Sequence, residues 1–245
     1  MLFPIGDDNR DRKITPLINY LLVLTNVLVF VFVQDFGNNV KFTYSYSTVP
    51  EEIVTGKDIT TPSKTYEDIV TGETYTIPGL GRTPSPVYIT IMTSMFMHGG
   101  FAHILGNMIF LLIFGDNIEN KIGHFRYLIF YLLCGIIASL AHVYSTQFLG
   151  GNMLIPTLGA SGAISGVLGA YLLLFPKRRV VVIMLYFLTE VPAIVAIGIW
   201  FLFQLVSGIG LLGTGSQQGG VAYGAHIGGF IAGLVLINFF TIGKR

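Results

Sequence analysis

The chain has 245 residues, 52% of them hydrophobic and only 11% charged, with a formal net charge of +1. Soluble domains carry about 25% charged residues, so this composition excludes a disordered chain, an ordinary soluble enzyme and a nucleic-acid binder recruited by charge. The single cysteine, Cys134, lies in an apolar run and excludes a disulfide framework or a Cys-based zinc site. A mean hydropathy of +0.69 and 30 glycines point to an all-α polytopic membrane protein, a single domain over 1–245.

A membrane-crossing helix needs about 20 apolar residues, and six segments meet or approach that length. Residues 1–15 form a polar N-terminal segment. The first apolar segment, 16–34, is free of charge, and Pro16 suits a helix start. It is too long for a signal-peptide core and has no small-residue cleavage site after it, which predicts a retained helix. Residues 35–88 are too many for a simple connector. Within them, 40–48 alternate in a strand-like period of two, and 65–70 and 73–77 flank Thr71-Gly72 as a hairpin would. Pro78, Pro84 and Pro86 then return the chain to the second apolar segment, 96–115. The third and fourth follow at 127–148 and 161–175. The stretch 180–189 is apolar but short, which predicts an interfacial position. Glu190, before Val191-Pro192, introduces the fifth segment, 192–212, and the sixth covers 222–242.

The basic residues orient these segments. With the N-terminus inside, the cytoplasmic pieces hold Arg10, Arg12, Lys13, Lys121, Arg126, Lys177, Arg178, Arg179, Lys244 and Arg245. Only Lys41, Lys57, Lys64 and Arg82 remain outside, all in the long loop 35–88. That asymmetry obeys the positive-inside rule and predicts six helices with both termini in the cytoplasm.

Polar residues inside apolar segments are costly and so are candidates for function. They are His103 and Asn107 on the second segment, Ser161 and Ser165 on the fourth, and His226 on the sixth. Even-numbered segments all run from outside to inside, so His103, Ser161 and His226 reach a similar depth in the outer leaflet. His103 and Asn107 are four apart and share a helix face. The fourth segment offers about 15 residues, roughly 22 Å, against a hydrocarbon core of about 30 Å. It therefore begins below the surface, and the loop 149–160 must dip inward, which non-helical backbone does only beside a wet, protein-walled cavity. A buried helix N-terminus presents free N–H groups and partial positive charge, suited to an oxyanion. Gly162-x-x-x-Gly166 and Gly229-x-x-x-Gly233 let the fourth and sixth segments approach closely. A hydroxyl and an imidazole on abutting helices make a nucleophile and a base.

Plainer readings exist for each feature. Either glycine motif alone is commonly packing only, and a lone serine in a membrane helix commonly bonds its own i−4 carbonyl. Cys134 reads as a small core hydrophobe, His124 as a solvated loop residue and His142 as a capping or interfacial group. A metal held by His98, His103 and His226 lacks a nearby acidic residue to complete it.

These residues carry a resemblance. His98-Gly99-Gly100-Phe101-Ala102-His103 with Asn107, Gly115 to Glu119, Gly159-Ala160-Ser161-Gly162, and Ala225-His226-Ile227-Gly228-Gly229 with Gly233 resemble the rhomboid family of intramembrane serine proteases in its six-helix bacterial form. The segment Phe3-Pro4-Ile5-Gly6-Asp7-Asp8-Asn9 is similar to the one that precedes the first helix in many bacterial members. The resemblance implies a rhomboid-like bundle with Ser161 as nucleophile and His226 as general base, a dyad without a third carboxylate. Asn107 and His103, with the Ser161 N–H, match the oxyanion-stabilising groups. His98 matches a supporting histidine, and Glu119 a structural carboxylate. It implies single-pass transmembrane proteins as substrates, the lipid bilayer as surroundings, no nucleic acid and no cofactor. It places the protein in the bacterial cytoplasmic (inner) membrane. The alternative is a catalytically silent rhomboid-like protein that binds membrane clients.

Two departures stand out. The Trp-Arg pair of many members is absent near Ile89-Thr90, and the aromatic common four residues after the nucleophile is Ser165. With no aromatic wall, His226 needs another support. Either a Ser165 hydroxyl bond to the second ring nitrogen fixes the tautomer, or a neighbour such as Phe230 or Tyr223 packs the ring.

Overall fold

The computed structural model describes residues 2–67, 72, 74–84, 86–184, 187–214 and 222–243. The chain is mostly helical, but it is not all-helical. Strand β1 (Leu2–Asp7) precedes α1 (Leu17–Leu28), which runs on through a π turn at Val29–Val33. Two short helices, α2 (Val40–Tyr46) and α3 (Pro50–Thr55), lead to the hairpin β2 (Lys64–Glu67) and β3 (Thr74–Ile77). A helical run at 87–96 contains α4 (Thr90–Thr93). The bundle continues with α5 (Phe101–Ile122), α6 (His124–Phe148) and α7 (Ser161–Leu174). Strands β4 (Arg179–Met184) and β5 (Phe187–Pro192) follow, and then α8 (Ala193–Thr214) and α9 (Tyr223–Phe240).

The six apolar segments hold the helices α1, α5, α6, α7, α8 and α9 in turn. By length and composition α5, α6 and α9 are long and apolar enough to cross a membrane. Leu17–Val33, Ser161–Leu174 and Ala193–Gly208 are shorter apolar helices, as is Val87–Phe96. The predicted hairpin forms with Lys64 opposite Ile77, although Thr71 of its turn lies outside the described residues. Lys244 and Arg245, used for orientation, lie outside them too.

Two local expectations fail. Residues 40–46 are helical, because Asn39 caps the turn by accepting from the Phe42 N–H (3.2 Å) and the rings of Phe42 and Tyr46 stack at i, i+4. Glu190 does not introduce a helix, because Arg179–Met184 and Phe187–Pro192 are strands. The β-branched run Val180–Ile183 pairs with β5 and with β1 in a three-stranded antiparallel sheet, order β1-β4-β5, with Val180 and Val182 fully buried. Glu190 accordingly belongs to β5, and α8 starts at Ala193.

Small residues set the helix spacing. A Cβ on Gly229 would overlap the Gly162 carbonyl oxygen, one on Gly233 the Gly166 oxygen, and one on Gly169 the Phe230 oxygen. Thus α7 and α9 touch backbone to backbone, as the paired motifs require. Helix α6 presents Ala141 to Gly228, Ala138 to Gly162 and buried Cys134 to Gly166.

At the β1 end of the bundle several polar groups are bonded across segments. Pro16 gives α1 no side-chain cap, and Glu119 of α5 replaces it, accepting from the N–H of Ile18 (2.9 Å) and Asn19 (2.7 Å). His124 bonds the same carboxylate, so it is tied at the start of α6 and not loose in a loop. Asp7 accepts from Asn117 Nδ2 (2.7 Å) and the Tyr171 hydroxyl (2.5 Å), and Arg178 bonds both Asn117 and Asp11.

Candidate active site

Ser161 is the first residue of α7, and His226 lies in the first turn of α9. The glycine contact between these helices puts the Ser161 Oγ 2.8 Å from His226 Nε2. Where Oγ–H donates to an unprotonated Nε2, the ring proton sits on Nδ1. That Nδ1 faces Gln204 Oε1 of α8 at 2.8 Å. Trp200, one turn earlier on α8, holds its ring 6.1 Å from the imidazole, and Tyr223 approaches it edge-on at 6.4 Å.

The Ser165 question is thereby answered. Its hydroxyl donates to the Ser161 carbonyl oxygen at 2.6 Å, the i−4 back-bond of a helical serine, and makes no bond to His226. The ring is packed by Tyr223 as one expectation had it, and also by Trp200. Phe230 sits behind, stacked on Phe201 at 4.0 Å and 6.4 Å from Trp200. Sequence reasoning missed Gln204. The available signal was an uncharged polar residue, 7% exposed, in an otherwise apolar helix.

A cavity of about 690 Å³ opens over the pair, lined by His103, Asn107, Ser161, Trp200 and His226 among others. Asn107 Nδ2 is buried and has no hydrogen-bond partner among the described residues, so two N–H donors stand unused at the cavity wall. His103 Nδ1 accepts from the Gly99 N–H at 3.3 Å, which leaves its proton on Nε2, again as a donor. His98 is fully buried with its ring 5.1 Å from that of His103, and neither of its ring nitrogens has a partner among the described residues. Its backbone is clamped instead: Gln34 accepts from the His98 N–H (2.9 Å) and donates to its carbonyl (3.0 Å). His98 borders a second cavity of about 560 Å³ that shares Gly99, His103, Leu158 and Ala222 with the first.

The loop before Ser161 is held by the segment after α1. Thr48 and Thr157 exchange backbone hydrogen bonds (3.0 and 2.8 Å), the Glu51 N–H donates to Met153 (3.0 Å), and the Gly159 N–H donates to Ser94 (2.9 Å). Gly159 has φ +123°, and a Cβ there would come within 2.8 Å of His103 Nε2, so only glycine brings this backbone past the histidine. His142 lies within α6, away from its ends, so it is not a cap, and Gly224 packs against its backbone. Among the described residues, no group of three or more His, Cys, Asp or Glu side chains could hold a metal ion.

A buried hydroxyl–imidazole pair at a helix start, beneath a cavity with unused amide donors, sits here in an apolar helical bundle, that of an integral membrane protein. Residues 86–242 match the Rhomboid domain, and the chain belongs to the rhomboid family. It is 31% identical over 147 residues to Rhomboid protein 1, mitochondrial, of Saccharomyces cerevisiae, covering 60% of this chain and 40% of that protein. It is 32% identical over 143 residues to Rhomboid protease GluP of Bacillus subtilis, covering 58% and 24% respectively. With Rhomboid protease AarA of Providencia stuartii it shares 29% over 162 residues, covering 62% of this chain and 56% of that one. The match thus spans less than two thirds of the length of these relatives.

Proposed function

We propose that the protein is an intramembrane serine endopeptidase acting through Ser161 and His226. The observation that carries this reading is the 2.8 Å contact between Ser161 Oγ and His226 Nε2 at the floor of a cavity. In the reaction, Oγ attacks the peptide carbonyl carbon while its proton passes to Nε2. The carbonyl oxygen becomes an oxyanion, met by Asn107 Nδ2, His103 Nε2 and the Ser161 N–H at the start of α7. The imidazolium then gives its proton to the departing amine, leaving an acyl-serine. A water, deprotonated by Nε2, hydrolyses the ester and frees Ser161. His98 supports this wall by packing on His103.

The substrates we assign are single-pass membrane proteins. A helical peptide carbonyl is shielded by its own hydrogen bond, so the cut falls where the helix unwinds. All six apolar helices cross the bilayer in this reading, with 1–15 and the C-terminus in the cytoplasm, 35–88 outside, and the whole 1–245 as one domain. The inner membrane of a bacterium suits the distribution of basic residues. No nucleic acid or cofactor takes part.

The test is cleavage of a single-pass reporter by the purified protein in liposomes, with the cut site mapped, alongside labelling by a serine-directed phosphonate. Cleavage and labelling that both vanish in Ser161→Ala are expected. Reporter binding without cleavage by folded wild-type protein would identify a silent client-binding relative instead.

A further inference from the structure

We infer that Gln204 is a positioning residue for His226, a neutral third member that sets the tautomer and orientation of the imidazole; this rests on the proposed Ser161–His226 chemistry. Three observations carry it. His226 must present a bare Nε2 to accept the Ser161 proton, so its own proton belongs on Nδ1. In a low-dielectric interior that Nδ1–H needs an acceptor, and Gln204 Oε1 stands 2.8 Å away. Gln204 is itself buried and held on a helix whose Phe201 is stacked on Phe230 of α9 and whose Trp200 lies against the imidazole. The acceptor is therefore fixed on packed helix and does not need to be recruited.

The side chain does the geometric part of a triad carboxylate's task without its charge. An amide oxygen accepts the Nδ1–H and selects the reactive tautomer, but it offers only a dipole to the imidazolium formed during attack. The ionisable groups whose charge reaches His226 are His103 from α5 and His142 from α6, beside Ser161 of α7 and Tyr223 of its own helix. Among the described residues no Asp, Glu, Lys or Arg is a partner of the imidazole. The base therefore works unassisted by a counter-ion, and its pH response is open to change at position 204.

The experiment compares wild type, Gln204→Leu, Gln204→Glu and Ser161→Ala on a single-pass reporter in liposomes, with kcat, KM and pH profiles measured. Gln204→Leu keeps the volume and removes the acceptor. It should lower kcat about tenfold with KM within twofold and an undiminished thermal midpoint. Gln204→Glu puts a carboxylate beside Nδ1 and favours the imidazolium, so the acidic limb of kcat/KM should move to higher pH. A merely structural role moves neither the kcat-to-KM split nor that limb. Wild-type kcat in Gln204→Leu, or an unmoved limb in Gln204→Glu, overturns the inference; should the leucine variant not fold, the glutamate profile decides alone. Ser161→Ala separates the two levels. If it still cleaves, the underlying chemistry is wrong, whereas inert Ser161→Ala with indifferent Gln204 variants rejects the positioning role only.

Discussion

The two ends of the bundle treat polar groups in opposite ways. At the β1 end, Asp7, Glu119 and Asn117 are each bonded to partners from distant segments. At the Ser161 end, Asn107 Nδ2 and both nitrogens of His98 are buried with no partner among the described residues. A buried donor left unpaired costs about 1–3 kcal/mol. In the proposed reading the difference separates the part of the molecule that holds the fold from the part that meets the substrate. The same contrast tells which substitutions should hurt turnover and which should hurt folding.

The sharpest break comes from Ser161→Ala or His226→Ala. Each should remove turnover almost entirely, about a million-fold, with the double mutant no worse than either single. Steady-state cleavage of the reporter checks this, and the thermal midpoint should hardly move. Next, Asn107→Ala should reduce kcat about a hundred- to a thousandfold with little change in KM. Because it deletes an unpaired donor, its midpoint should equal or exceed that of wild type.

At the other end the signs reverse. Glu119→Ala strands the N–H groups of Ile18 and Asn19 and should cost about 2–3 kcal/mol, seen as a lower thermal midpoint, while kcat of the folded fraction stays within about twofold. Gly233→Ala tests the link between the ends. Its Cβ meets the Gly166 carbonyl, so about 1–3 kcal/mol of stability should be lost together with turnover as α7 and α9 separate. The smallest effect is one of pH. Burial pushes the Asp7 carboxyl up to about 6, so the folded protein holds that proton more tightly than the unfolded chain. The stability it contributes is complete below about pH 4 and lost as pH rises towards about 6. The thermal midpoint should fall over that window, by less in Asp7→Asn.

Much of the Ser161 end is legible in the sequence because the proposed chemistry uses polar residues that are unusual in apolar segments, at helical spacing. His103 with Asn107, and the serine and histidine heading paired glycine motifs, can be placed by periodicity and topology alone. Gln204 cannot be placed that way, since an uncharged amide in an apolar segment gives no sign of which helix it faces. The β1-β4-β5 sheet is hidden for another reason. Its strands are six residues each, and Leu2 pairs with Met184, a partnership that no local pattern encodes. Residues 40–46 mislead because alternation of Thr and Ser with aromatics also fits a capped helical turn. Ser165 follows the plainest of helix rules and bonds its own i−4 carbonyl.

The pairing of β1 with β4 also has a consequence in time. The first strand leaves the ribosome while its partner, about 170 residues further on, does not yet exist. Until β4 and β5 are made, Leu2–Asp7 has no sheet to join and Asp7 has no Tyr171 to bond. The strand is thus synthesised well before its partners and docks only once they exist. Its arrival over Asn117 and Tyr171 follows the placing of α5 and α7, so β1 serves as a clasp across the bundle.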